Sequence, residues 1–335
     1  MRRVDVAGED LRHNPAMSTE HGRRPSPLPP RHGLDAARVR LPPEGPWATL
    51  REHLVDRLPM SPARVEAMLA EGRIVTHDGP LGPGAPFVPG SLVWFHRDLP
   101  EEVAVPFELD VLYSDDSILV ADKPHFLATI PRGRHVLETA LVRLRHRLDL
   151  PELSPAHRLD RVTAGVVLFV VRRELRGAYQ NLFRDRRVAK TYEAVATSNP
   201  SLAFPRLVRS RIEKTRGVLT AVETDGTPNA ETRVELLERR NALARYRLVP
   251  HTGRTHQLRV HMAALGVPIL GDPFYPTLRD VGLEDFRAPL QLLARTLAFD
   301  DPVTGAPREF TSRRILQAWD DPGGWAAGPL VPPSA

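Results

Sequence analysis

The sequence predicts an α+β protein of two domains, and three observations carry that reading. Segments with strand-type alternation and segments with helical spacing follow one another on both sides of a linker-like stretch at residues 99–106. The apolar run Val166-Val-Leu-Phe-Val-Val171 is short and bounded by Gly165 and Arg172, as a buried strand is. The 335 residues are enough for about two cores.

Composition narrows the class. Hydrophobic residues make up 41% and charged residues 26%, ordinary for a soluble protein. No apolar run reaches the length of a membrane span, and residues 1–20 carry Asp5, Glu9, Asp10 and Glu20 instead of a signal-peptide core. Cysteine is absent, which excludes disulfides, thiolate metal sites and cysteine nucleophiles and fits a cytoplasmic protein. The net charge of +5 favours an anionic partner, nucleic acid above all. Of the 46 basic residues only Lys123, Lys190 and Lys214 are lysines. Where arginine is the default cation, a retained lysine points to a place that needs a compact ammonium.

Residues 1–45 are rich in Arg and Pro without hydrophobic period and read as a disordered tail. Residues 46–98 read as a small domain. Trp47, Leu50, Leu54 and Leu58 follow helical spacing, and Ser61-Pro62 opens a second helix that Gly72 ends. Strands at 73–76 and 91–96 follow. This order is similar to the S4-type RNA-binding domain, with Gly72, Val75 and Gly79 at matching positions and a thin basic face. A domain that only packs on its neighbour is the plainer alternative.

Beyond the linker, strands are expected near 107–113 and 118–121 and a helix over 138–148. In that helix Leu137, Ala140, Leu141, Leu144 and Leu148 form one apolar face. The helix ends in His146-Arg-Leu-Asp149, and the same four letters recur in His157-Arg-Leu-Asp160. Periodicity separates them. Asp149 falls on the solvent side of a helix end. Asp160 lies between Arg158 and Arg161, in a loop beside Gly165 at the mouth of the buried strand, where a carboxylate can act as nucleophile. A helix over 173–184, a strand over 188–196 with Lys190 and Tyr192 on one face, basic strands over 200–235, a strand over 242–250 and a helix over 255–265 complete the series. Residues 290–299 suit either a helix or a strand, and 321–335 read as a flexible tail. His256 and His261 are five apart on the expected helix and do not share a face, so no metal site is expected.

Three motifs in order, His157-Arg-Leu-Asp160-Arg-Val-Thr-Ala-Gly165, Lys190-Thr-Tyr192-Glu-Ala194 and Thr252-Gly-Arg-Thr-His-Gln-Leu-Arg259-Val-His261, resemble the RluA family of pseudouridine synthases over residues 107–316, about two-thirds of the chain. Lys123-Pro124 matches the family's early Lys-Pro motif. The resemblance implies a mixed, largely antiparallel sheet with flanking helices. It implies isomerisation of uridine to pseudouridine in ribosomal RNA or tRNA, by a monomer, without metal, redox cofactor or membrane. It implies Asp160 as nucleophile, attacking ribose C1′ or uracil C6, with Tyr192 on the uracil and Arg259 paired to the aspartate. Arg158, Arg161, Lys190, Arg254, His256 and Gln257 fall at motif positions that suit substrate binding. Three positions depart from the pattern: Ala164 stands for Ser, Phe126 for the Gly after Lys-Pro-x, and Leu293-Ala-Arg295 where His-Ala is usual. A non-catalytic assembly factor of the same fold and a carboxylate-based nucleoside hydrolase are the rival readings. The second lacks a partner carboxylate at a matching motif.

Overall fold

The computed structural model describes residues 26–99, 101–282 and 284–327. The described residues up to Glu102, together with 132–137, form one compact unit, and 103–131 with 138 onward form the second. The boundary falls inside the expected linker. The 132–137 loop, expected within the second domain, belongs to the first.

In the first unit, α1 (Leu50–Arg57) starts at Thr49, whose hydroxyl accepts from the Glu52 amide while the Glu52 carboxylate accepts from the Thr49 amide. Ser61 caps α2 (Pro62–Ala70), with Pro62 at the first turn. Four short strands form one sheet in the order β1-β4-β2-β3: β1 (Ala37–Arg40), β2 (Val75–Thr76), β3 (Gly79–Pro80) and β4 (Leu92–Phe95). Strand β1 corrects the expectation of a disordered tail over 1–45. Ala37–Arg40 pairs antiparallel with Leu92–Phe95, and Val39 and Leu41 enter the core with Leu50, Leu54, Val65, Met68 and Val93. Apolar residues at 37, 39 and 41 supply the period of two that an Arg/Pro-rich composition hid. Residues 1–25 of that stretch lie outside the described residues.

The second unit is built on an eleven-stranded, mostly antiparallel sheet with few helices, an α+β arrangement. Its strands are β5 (Asp110–Ser114), β6 (Ile118–Lys123), β7 (Ser154–Pro155), β8 (Ala164–Val170), β9 (Ala189–Thr197), β10 (Arg206–Glu213), β11 (Val222–Thr224), β12 (Ala230–Arg240), β13 (Leu243–Pro250), β14 (Leu292–Asp300) and β15 (Pro307–Thr311). The helices are α3 (Ala140–Leu148), α4 (Arg176–Arg184), α5 (Gln257–Ala264), α6 (Gln317–Asp320) and α7 (Pro322–Ala327). The main path runs β11-β10-β12-β13-β9-β14-β8-β6-β5.

Strand β8 reads as unbroken apolar because both of its faces are covered. Val167 and Phe169 pack with Leu141 and Leu144 of α3, whereas Val166, Leu168 and Val170 pack with Tyr179 and Leu182 of α4. Its neighbour β14 runs parallel through only two register pairs, Leu293 with Ala164 and Ala294 with Gly165. A Cβ at Gly165, whose φ is +115°, would stand 2.2 Å from the Ala294 carbonyl oxygen. The glycine of the motif is therefore required by backbone contact. Ala164 lies in an apolar cluster with Val195, Leu293, Leu316 and Trp319, a setting that suits Ala.

Three further expectations change. Residues 290–299 resolve as a strand, because Leu292–Asp300 pairs with β9 and β15. Leu148 is 39% exposed: α3 ends there, and only Ala140, Leu141 and Leu144 reach the cluster. The C-terminal stretch is helical over Pro322–Ala327, and Trp325 donates to the Pro289 carbonyl, so the flexible tail does not start at 321. Residues 328–335 lie outside the described residues. Among the described residues no helix is long and apolar enough to cross a membrane, and no group of three or more His, Asp or Glu could hold a metal ion.

Candidate active site

The Asp160 loop is held from both sides. Leu159 anchors in the α3-side core, and Val162 anchors in a second core with Leu258 and Met262 of α5. The turn itself is closed by the Thr163 amide donating to the Asp160 carbonyl, 3.1 Å. Its other backbone groups are tied to one segment, 123–129. The Thr129 hydroxyl donates to the Leu159 carbonyl (2.8 Å) and accepts from the Leu159 amide (3.1 Å). His125 Nδ1 donates to the Val162 carbonyl (2.8 Å), and Lys123 Nζ donates to the Arg161 carbonyl (3.3 Å) as well as to Pro124 and Leu127. Lys123 is fully buried, and burial pushes its ammonium well below the ordinary value while the Asp160 charge opposes the shift. Three donors at one point answer why a lysine survives here: an ammonium presents three protons to three carbonyls.

Phe126 occupies this segment with φ +64°, the left-handed backbone that a glycine would adopt freely. Its ring compensates. It lies 6.0 Å from Phe107 and 5.4 Å from Phe286 between centroids, and Arg161 stands over it at 5.7 Å while donating to its carbonyl. At the position where the family usually has glycine, Phe126 thus takes a backbone conformation open to glycine and adds an aromatic anchor.

Arg259 arrives from α5. It is 1% exposed and makes two bonds to Asp272, Nε to Oδ2 at 2.8 Å and Nη2 to Oδ1 at 2.6 Å, leaving Nη1 for Asp160 Oδ2 at 3.3 Å. Burial alone would push the guanidinium down. The Asp272 bonds and the charges of Asp272 and Asp160 outweigh it, and the group stands above its ordinary value. Asp272 in turn accepts from the Phe274 and Tyr275 amides, which brings both rings over the guanidinium at 4.8 and 5.3 Å. Gly271 precedes it with φ +72°, where a Cβ would meet the Ala288 and Pro289 carbonyl oxygens at 2.6 Å.

Tyr192 lies on β9 between the two cores. Burial and the Asp160 charge push its phenol up, so at neutral pH it is a proton donor, not a phenolate. His256 precedes α5 with φ +58° and places Nε2 3.8 Å from Asp160 Oδ2. Asp160, Arg259, Tyr192 and His256 therefore share one site, with the Asp160 side chain 32% exposed at its mouth.

The other expected residues are distributed differently. The Gln257 amide is fully engaged: its oxygen accepts from Thr252 Oγ1 and the Arg254 amide, and its nitrogen donates to the Glu231 carbonyl and Thr232 Oγ1. It shapes the turn and has no group left for a ligand. Arg161 braces the Phe126 loop. Burial pushes the Lys190 ammonium down, and the Arg186 charge adds to the shift. Arg254 is exposed and donates to the Asn229 carbonyl, and Arg158 is exposed beside the loop. Sequence reasoning missed Asp272, Thr129 and His125. The signal for Asp272 was available: a charge placed between Val267–Leu270 and Phe274-Tyr275 is expected to be buried, and a buried charge requires a partner.

Residues 117–264 match the family model described as RNA pseudouridylate synthase. The chain is 31% identical to the dual-specificity RNA pseudouridine synthase RluA of Haemophilus influenzae over 220 residues, 61% of this chain and 93% of that protein. It is 37% identical to the RluA of Escherichia coli K12 over 179 residues, half of this chain and 77% of that one. It is 31% identical to the ribosomal large subunit pseudouridine synthase D of Pseudomonas aeruginosa, over 63% of this chain and 70% of that one. Among solved structures, the human RNA pseudouridylate synthase domain containing 1 superposes with a TM-score of 0.52 at 24% identity, covering 66% of this chain and 89% of that one, a likeness of fold. With the three motifs meeting at one carboxylate and a near full-length relative above 30% identity, the chain belongs to the RluA family and is an RNA pseudouridine synthase.

Proposed function

We propose that Asp160 is the nucleophile of the isomerisation. The observation that carries this reading is the division of Arg259, two nitrogens to Asp272 and one to Asp160. Asp272 neutralises and fixes the guanidinium in the interior. The third nitrogen then holds Asp160 Oδ2 and leaves Oδ1 to attack ribose C1′ or uracil C6 of a nucleotide flipped out of its RNA. The N1–C1′ bond breaks, the uracil turns, and C5 bonds to C1′ as the bond to Asp160 breaks; C5 then loses its proton and N1 gains one. Tyr192, protonated and set between two apolar cores, packs on the ring and supplies a proton donor.

The substrate is ribosomal RNA or tRNA. Support comes from the relative named for the large ribosomal subunit and from the arginines and lysine exposed along and beside β10, among them Arg206, Arg209, Lys214 and Arg216. Arg158 and Arg254, both exposed, belong to the same RNA-facing set. The first unit, with its helix-helix-strand order, is read as an S4-like RNA-binding domain, and the protein as a cytoplasmic monomer that needs no metal or cofactor. The test is Asp160→Asn. Pseudouridine formation, mapped by carbodiimide labelling of the RNA, falls by at least ~10³-fold while RNA binding and the melting temperature hold. Turnover within tenfold of the parent's removes Asp160 from this role.

A further inference from the structure

His256 has a fixed tautomer, and it follows from its neighbour. The Tyr275 hydroxyl has one proton and makes three contacts: with the Ala221 amide at 2.7 Å, the Ala221 carbonyl at 2.9 Å and His256 Nδ1 at 2.9 Å. The amide can only donate and the carbonyl can only accept, so the hydroxyl proton goes to the carbonyl. All three contacts are then satisfied only when His256 Nδ1 carries a proton and donates to the hydroxyl. In the neutral ring Nε2 is left as a bare acceptor. It faces Asp160 Oδ2, another acceptor, 3.8 Å away. Two lone pairs so placed repel unless a donor enters between them. The His256 ring also packs against Phe274, with ring centroids 5.5 Å apart.

We propose that His256 Nε2 and Asp160 Oδ2 form a hydrogen-bond acceptor pair for the 2′-hydroxyl of the target ribose. The inference rests on Asp160 being the nucleophile. Within an RNA chain the 3′ and 5′ oxygens are esterified, so the 2′-hydroxyl is the only ribose donor. It adjoins C1′ and lies close to C6, whichever carbon Asp160 attacks. The other donor of the nucleotide, the uracil N3–H, points away from both carbons. His256 is then a positioning residue that also reads RNA against DNA at the flipped nucleotide.

Burial is the largest influence on the ring and pushes it down; the charges of Asp160 and Asp272 oppose that shift, and those of Arg259 and Lys214 add to it. Protonation at Nε2 would turn the acceptor into a donor paired to Asp160, so the contact belongs to the neutral form.

The test is a cycle between residue and substrate. Single-turnover rate over affinity is measured on RNA carrying uridine, 2′-deoxyuridine or 3-methyluridine at the target, with wild type, His256→Asn and His256→Gln. Asn tolerates the left-handed backbone and can keep the Tyr275 contact but has no atom at the Nε2 position. Gln reaches that position with an acceptor. Removing the 2′-hydroxyl is expected to cost wild type and His256→Gln about tenfold more than it costs His256→Asn, the worth of one hydrogen bond. An equal 2′-deoxy penalty in wild type and His256→Asn overturns the proposal, as does a coupling that appears with 3-methyluridine instead. Wild-type turnover on the uridine RNA is read in the same series. A missing coupling with turnover intact therefore counts against the His256 contact alone, whereas the role of Asp160 is judged by Asp160→Asn.

Discussion

The chain writes His-Arg-Leu-Asp twice, and the two copies have opposite fates. At 146–149 the letters close α3. His146, Arg147 and Asp149 are exposed, and Asp149 caps the helix in the left-handed conformation at φ +51°. At 157–160 the same letters form a loop whose backbone is tied to Thr129, His125 and Lys123 and whose carboxylate meets Arg259. His157 stacks on Phe183 at 4.4 Å, and its Nε2 accepts from the Leu168 amide at 3.1 Å. The difference is made by what the fold brings to each copy, since the letters are identical. A carboxylate becomes chemically useful when its backbone is fixed and its charge is directed.

Four substitutions sharpen or break that contrast. The largest effect is the loss at Asp160→Asn described above. Next comes Asp272→Asn, which leaves the Arg259 charge buried with half of its compensation. It is expected to lower the unfolding free energy by about 3 kcal/mol and turnover by about 100-fold, read from urea titration and from rates at saturating RNA. Near-parental turnover there would show that Asp160 does not depend on the divided guanidinium. Third is the pH dependence set by His157, whose burial, with the charge of Lys190, pulls its imidazole down to about 3. The unfolded chain takes up that proton near pH 6.5 and the folded one does not, so stability falls as pH drops below 6.5 and levels off near 3. Replacing it, as His157→Gln, should reduce the slope of unfolding free energy between pH 6 and 4 by up to about 1.4 kcal/mol per pH unit. An unchanged slope would mean that the ring is protonated in the folded loop. The smallest effect is Asp149→Asn, expected to leave turnover within twofold and stability within about 0.5 kcal/mol. A tenfold loss of turnover would reverse the assignment of the two copies.

Much of this was legible because local sequence and tertiary placement agree. The Val166–Val171 run, the cap at Ser61 and the helix before Asp149 all follow from spacing and turn chemistry. Asp160, Tyr192 and Arg259 were legible as motif positions. The rest depends on long-range partners that no local pattern encodes. Thr129 acts through the backbone of residue 159, and Asp272 acts through a guanidinium thirteen residues earlier. Gln257 misled for the converse reason. Its motif position suggested a ligand contact, but four internal hydrogen bonds exhaust its amide. Strand β1 was hidden because its apolar alternation is only a few residues long and its partner is some fifty residues away.

The two-pair seam between β8 and β14 has one more consequence. It is where the half of the sheet carrying the Asp160 loop joins the half that leads to Arg259. Backbone touches backbone there, with only the hydrogen of Gly165 between them. The spacing between the backbones that carry Asp160 and Arg259 is therefore gauged by main-chain contact. The sheet works as a calliper whose jaws close on a single glycine. Substitutions elsewhere in the cores can loosen the protein before they alter the span that the chemistry reads.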